Sequence, residues 1–300
     1  MKKKTYLFAL MAMALTLGSC SDNENGIGGE TSKYITVSTS IGNMTRVATD
    51  EKGGQTFEEG DEISVYAWTG DATVAPETRE RVVNNAINKL TNGSWVSTPQ
   101  MLWKNNRDKH YFIGVYPTAA ISDLSAGEYT FDANKQTESD LLVAVNPDGL
   151  SYSADAQQTV PLTFTHVMSK LAVNLTYKNQ WGGIPTVEKV VVGNAAKEAT
   201  INYLTKVVTP STTAKEDFSL PEITENTKYV SVIIPQEEVT QLTIVIGGKN
   251  FVYDNGTPFK LESGKITTVN LEVGRDEIKL GDVKITNWED GSTFSGEALN

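Results

Sequence analysis

The chain has 300 residues, 39% hydrophobic and 21% charged, enough length for two domains of ordinary size and enough apolar side chains for real cores. Its formal net charge of −11 argues against nucleic acid and anionic lipid as partners. A single cysteine excludes internal disulfides, so packing alone must carry stability.

The first element is residues 1–20. Lys2-Lys3-Lys4 precedes an apolar run from Tyr6 to Leu17, and Leu17-Gly18-Ser19-Cys20 closes it. A positive start, an apolar stretch too short for a stable span, and small residues before a cysteine make an export signal. The pattern resembles the bacterial lipoprotein signal. That resemblance implies removal of residues 1–19 and acylation of Cys20. An ordinary signal peptide with an incidental cysteine is the competing reading. Residues 20–33 are polar and glycine-rich and read as a tether. Within them Ser21-Asp22-Asn23-Glu24 resembles the acidic signal that sends lipoproteins to the outer face in Bacteroidetes; a solvated linker explains it nearly as well. No later stretch is apolar enough to span a bilayer, so attachment rests on the lipid.

From Tyr34 the pattern is strands. Tyr34–Ser40 alternates, and Glu62–Trp68 places Ile63, Val65 and Ala67 on one face. Residues 80–90 read as strand or irregular, because asparagines and β-branched residues weaken a helix there. His110–Tyr116, Tyr129–Phe131 and Leu141–Val145 follow. In the second half Leu171, Val173, Leu175 and Tyr177 share a face. Val187–Val192, Tyr229–Pro235, Leu242–Ile246, Asn250–Tyr253, Lys265–Val273 and Glu277–Thr286 continue the pattern. Gly247-Gly248 signals a hairpin and Asp254-Asn255-Gly256 a tight turn. Many short strands without a long amphipathic helix predict all-β sandwiches. The polar stretch Asp155–Thr159 is the expected boundary, dividing an N-terminal β-sandwich (34–158) from a C-terminal one (159–300).

Chemistry-bearing patterns are sparse. The chain has two histidines, His110 and His166, so zinc lacks ligands, and no acidic run has calcium-loop spacing. The glycine pairs lack the strand-to-helix context of a phosphate loop. His166 and Ser169, three residues apart on one segment, offer no oriented base for a nucleophile. They are expected to satisfy backbone groups at a corner, with Phe164 and Leu171 in the second core. No catalytic, cofactor or metal site is therefore expected, and the chain reads as no enzyme. The five tryptophans would stack on sugars or, more commonly, fill cores.

Several segments together resemble the fimbrillin-like family of Bacteroidetes, the subunits of lipoprotein-derived (type V) pili. They are Met44-Thr45-Arg46, then Phe57-Glu58-Glu59-Gly60-Asp61 running into Ile63-Ser64-Val65-Tyr66, and Tyr111–Pro117. Asp140–Ala144, Leu162–Leu171 with its F-x-H-x-x-S-K-L signature, and the stretch from Leu261 to Trp288 complete the set. The resemblance implies two tandem transthyretin-like β-sandwich domains. It also implies proteolysis at Arg46, which removes the first strand and opens a groove for the strand of another subunit. An ordinary loop arginine is the competing reading of Arg46, and Arg79 and Arg81 are rival cleavage points. The expected protein is a pilus subunit on the outer membrane, lipid-anchored and serving adhesion. Its expected partners are other subunits by strand addition and a ligand on host or bacterial surfaces. The alternative is a non-polymerising surface lipoprotein or pilus-tip adhesin that binds glycan or protein. The break at Gly281-Asp282 and the sparse apolar content of 289–300 leave the C-terminal strand's role as a donor open.

Overall fold

The computed structural model describes residues 34–42, 56–136, 138–153 and 158–288. Cys20 and Arg46 lie outside the described residues, as do the whole tether and residues 289–300.

The strands of the first half are β1 (Thr36–Ile41), β2 (Glu62–Thr69), β3 (Val83–Thr91), β4 (Ser94–Thr98), β5 (Lys109–Tyr116), β6 (Gly127–Thr130) and β7 (Leu142–Ser151). Next come β8 (Thr159–His166), β9 (Ser169–Tyr177), β10 (Val187–Ala196), β11 (Glu198–Asn202), β12 (Val207–Pro210) and β13 (Lys215–Ser219). The last are β14 (Glu222–Thr224), β15 (Lys228–Ile233), β16 (Gln236–Ile246), β17 (Lys249–Leu261), β18 (Lys265–Val273) and β19 (Ile278–Asn287). Four sheets result: β1-β8-β7-β5-β2-β3-β4, β13-β10-β16-β17, β12-β11-β6 and β14-β15-β9-β18-β19. The fold is all-β, with the sheets packed as β-sandwiches.

Alternation along β2 decides how the sheets pack. Ile63, Val65 and Ala67 face one side, Tyr66 and Trp68 the other, and all five are buried. β5 and β7 repeat this, with Phe112, Leu142 and Ala144 on the first face and Ile113, Val115, Leu141 and Val143 on the second. First-face side chains join Ile35, Val37, Ile41, Val160, Leu162 and Phe164 in one core. Second-face side chains enter a larger core that also holds Leu171 and Val173 of β9, Val190 of β10, Leu242 of β16 and Val269 of β18. Both halves of the chain thus contribute to the larger core.

The structure revises the sequence reading at Phe164 and at Asp254–Gly256. Phe164 does not enter the same core as Leu171. It belongs with β1 and β2 in the smaller one, because β8 pairs with β7 and β1 rather than opening a new sheet. The expected limit near 158–159 falls just before β8, a member of the first sheet. At Asp254–Gly256 the chain does not end a strand but bulges within β17: Asp254 pairs with Gln241 and Phe259 with Val239, so four residues of β17 stand against one of β16. The Gly247-Gly248 hairpin joins β16 and β17 as expected, residues 83–91 are strand, and the break at Gly281 is a bulge between β18 and β19.

Candidate functional site

The site is the seat of the first strand. Ile35, Val37 and Ile41 alternate with exposed Ser38 and Ser40, which sends the apolar set inward. β1 pairs in parallel with β8, in register from Thr36 with Thr159 to Ile41 with Phe164. On the outward face, the hydroxyls of Thr36 and Thr159 lie 3.2 Å apart, and Ser40 Oγ donates to Thr163 Oγ1 at 3.2 Å. The Gly42 N–H closes the pairing on Phe164 O at 2.8 Å.

The other edge of β1 is only partly met. The Ile35 N–H donates to Met101 O at 2.9 Å, and Tyr34 bridges Leu102. Further along, the contact passes to side chains: Trp95 Nε1 of β4 donates to Thr39 Oγ1 at 3.0 Å. Between β1 and β4 the sheet stays open as a cleft of about 690 Å³, lined among others by Val37, Ile41, Phe57 and Trp95. Phe57 closes one end, packing edge-on against Trp95, Tyr116 and Phe164 at 5.1–5.3 Å between ring centres.

The turn that delivers Phe57 is built as its residues suggest. Gly60 has φ +98°, a region open to glycine, and Asp61 Oδ2 accepts the Glu58 N–H at 2.7 Å. Tyr116 donates to Asp61 at 3.4 Å, and burial together with that carboxylate pushes the Tyr116 hydroxyl above its ordinary pKa.

The rival cleavage points separate cleanly. Arg81 is buried, its guanidinium donating to Ile121 O and Ser122 O at 2.6 Å and to Asn84 Oδ1 at 2.8 Å. Arg79 is exposed on the 3-10 turn Thr78–Glu80 and pairs with Glu77 at 2.9 Å. Trp68, Trp103 and Trp288 are core residues, which removes three of the five candidate sugar platforms. Ser169 Oγ donates to Lys265 O at 3.3 Å, a backbone group as expected. His166 meets the Asp140 carboxylate at 2.8 Å and stacks on Trp288, partners that local spacing could not reveal. Among the described residues no group of three His, Cys, Asp or Glu could hold a metal.

These features define an all-β sandwich protein whose first strand completes a core from a half-paired sheet edge. The chain belongs to the fimbrillin-like family, whose model matches residues 45–288, a family of fimbrial and cell adhesion proteins rather than enzymes. It is 24% identical to a candidate fimbrium subunit, Fim1C, of Bacteroides uniformis, over 97% of each chain. Two solved candidate cell adhesion proteins share its fold. One, from Bacteroides ovatus, has a TM-score of 0.61 at 17% identity over 85% of this chain and 98% of its own. The other, from Bacteroides uniformis, has a TM-score of 0.61 at 19% identity, with the same coverage.

Proposed function

We propose that this chain is a pilus subunit of the cell surface that assembles by strand exchange and serves adhesion. The observation that carries the reading is the seat of β1. Three aliphatic side chains fill a core from a strand fully paired on one side only. The chain then leaves through residues 43–55, which contain Arg46. Cleavage after Arg46 would release β1, exposing apolar side chains and the unpaired edge of β8, a state that favours strand addition. β19 is the proposed donor: it is an edge strand with Ile278, Leu280, Val283 and Ile285 along it. In this reading the chain forms two units in tandem, with β8 belonging to the first.

Limited trypsin digestion is expected to cut near Arg46, leave a compact product beginning at Val47, and yield oligomers on native gels. An Arg46→Ala variant is expected to stay monomeric under the same digestion. Cleaved native protein that remains monomeric for days at high concentration would overturn the reading.

The pilus-tip or non-polymerising alternative has one observation in its favour. β19 is already paired with β18 from Asn287 with Lys265 to Ile278 with Val273, so it is not a free donor.

Cys20 is the proposed membrane attachment, by acylation at the outer membrane. No described helix is long and apolar enough to cross a membrane. Cys20→Ala is expected to move the mature protein out of the detergent phase in a partition experiment; retention there would sink the proposed anchor.

A further inference from the structure

β19 is an edge strand of its sheet, held with far less burial than its neighbour β18. Of its side chains, Ile278 and Leu280 pack only partly against the larger core, while Val283 and Ile285 are 37% and 39% exposed. Burial therefore contributes little along most of its length. Polar anchors take over. Asp282 Oδ1 accepts from Asn270 Nδ2 at 2.6 Å, and Asn270 Oδ1 accepts from Asn174 Nδ2 at 2.8 Å, a ladder across three strands. Glu277, just before β19, pairs with Lys178.

The far end is fastened by a cluster that joins two motifs distant in the sequence. Trp288 follows β19 directly and is buried. Its indole lies flat on the His166 imidazole, with centroids 3.9 Å apart and planes within 7°. Lys170 Nζ sits 4.1 Å from the Trp288 ring centroid. Asp140 Oδ1 holds His166 Nδ1 at 2.8 Å, fixing the imidazole as a platform. The Trp288 N–H donates to Gly264 O at 3.0 Å, and the Gly264 N–H to Met168 O at 2.8 Å. Three other stretches of chain, at Asp140, His166–Lys170 and Gly264, thus meet around Trp288.

We infer that His166, Lys170 and Trp288 form a clasp that keeps β19 seated and sets how often this edge strand leaves its sheet. The placement supports this over simple core filling. Core filling requires burial alone, whereas here a positioned imidazole stacks on the ring and an ammonium lies over it. An edge strand with few buried side chains opens locally at low cost, so a contact at its end controls the opening rate. The clasp itself stands apart from polymerisation; its meaning for assembly rests on the strand-exchange reading above.

Amide hydrogen exchange on the full chain tests it. In Trp288→Ala, the peptide covering 278–287 is expected to exchange about tenfold faster, equivalent to about 1.4 kcal/mol. Peptides from β9 and β10 are expected to keep their native rates. His166→Asn is expected to reproduce the effect, Trp288→Phe to restore most of the protection, and the double variant to add little to either single one. Unchanged exchange in β19 on losing Trp288, or a rise shared equally with β9 and β10, would overturn the clasp. After digestion near Arg46, the Trp288→Ala protein is expected to assemble faster than native protein. Faster exchange with no assembly by either protein upholds the clasp and counts against strand exchange alone.

Discussion

Phe164→Ala is expected to lower the thermal midpoint sharply and to loosen β1 with it. Phe164 is fully buried in the smaller core, edge-on to Phe57 at 5.1 Å. Opposite it stands Gly114, where an added Cβ would lie 2.7 Å from Phe164 Cζ and 3.1 Å from Leu162 Cδ1. The ring therefore occupies space that glycine leaves for it, and truncation opens a cavity that Gly114 cannot fill. Removing a buried phenylalanine costs about 3–5 kcal/mol. By the size scaling of 150–250-residue domains, that corresponds to roughly 6–20 °C in midpoint. The backbone of Phe164 also accepts the Gly42 N–H and faces Ile41 across the ladder, so the loss falls beside the end of β1. Calorimetry with hydrogen exchange on residues 36–41 reads both effects. An unchanged midpoint would place the ring outside the core.

Val37→Asp is expected to unseat β1 while the rest of the fold survives. Val37 is buried among the apolar side chains of the smaller core. An ionised carboxylate there costs several kcal/mol after relaxation. Each of the three aliphatics that hold β1 contributes roughly 1.5–3 kcal/mol. The penalty is thus comparable to what keeps the strand in place, and unpairing one edge strand relieves it more cheaply than global unfolding. Protection in residues 36–41 is expected to vanish, with β9 and β18 unaffected. Acidification is expected to restore part of it, since a neutral carboxyl is easier to bury. Ser38→Asp, on the exposed face, is the control and is expected to change stability by less than about 0.5 kcal/mol. Equal behaviour of the two variants would show that the face assignment of β1 is wrong.

Strand faces were legible because period-two alternation is a local signal. Ile63, Val65 and Ala67 do share a face, as do Leu171, Val173 and Leu175. Pairing was not local. Nothing within residues 159–166 says that β8 sits between β7 and β1, so local pattern alone places Phe164 with Leu171 rather than in the smaller core. The turn signal at Asp254–Gly256 marks a real departure from regular pairing, but the ladder with β16 resumes beyond it, so these residues begin a bulge inside β17 rather than a hairpin. His166 and Trp288 were visible as parts of two motifs, yet their stacking depends on the corner after β8 and the end of β19 meeting in space. Arg81 had the charge of a cleavage point; only the carbonyls of Ile121 and Ser122, brought in from another connection, show that it is a buried brace.

The register of β1 on β8 has a consequence for whatever replaces it. Ile35, Val37 and Ile41 enter the core at every second position or a multiple of it, while Ser38 and Ser40 face water. Sliding a strand by one residue along β8 would turn every inward side chain outward. Under the proposed strand exchange, the groove would work as a reading frame. It would test an incoming chain for the spacing of its apolar residues, and a one-residue shift would make an otherwise suitable sequence unreadable. Selectivity of this kind needs no charged contact and no pocket, only a counted distance between side chains.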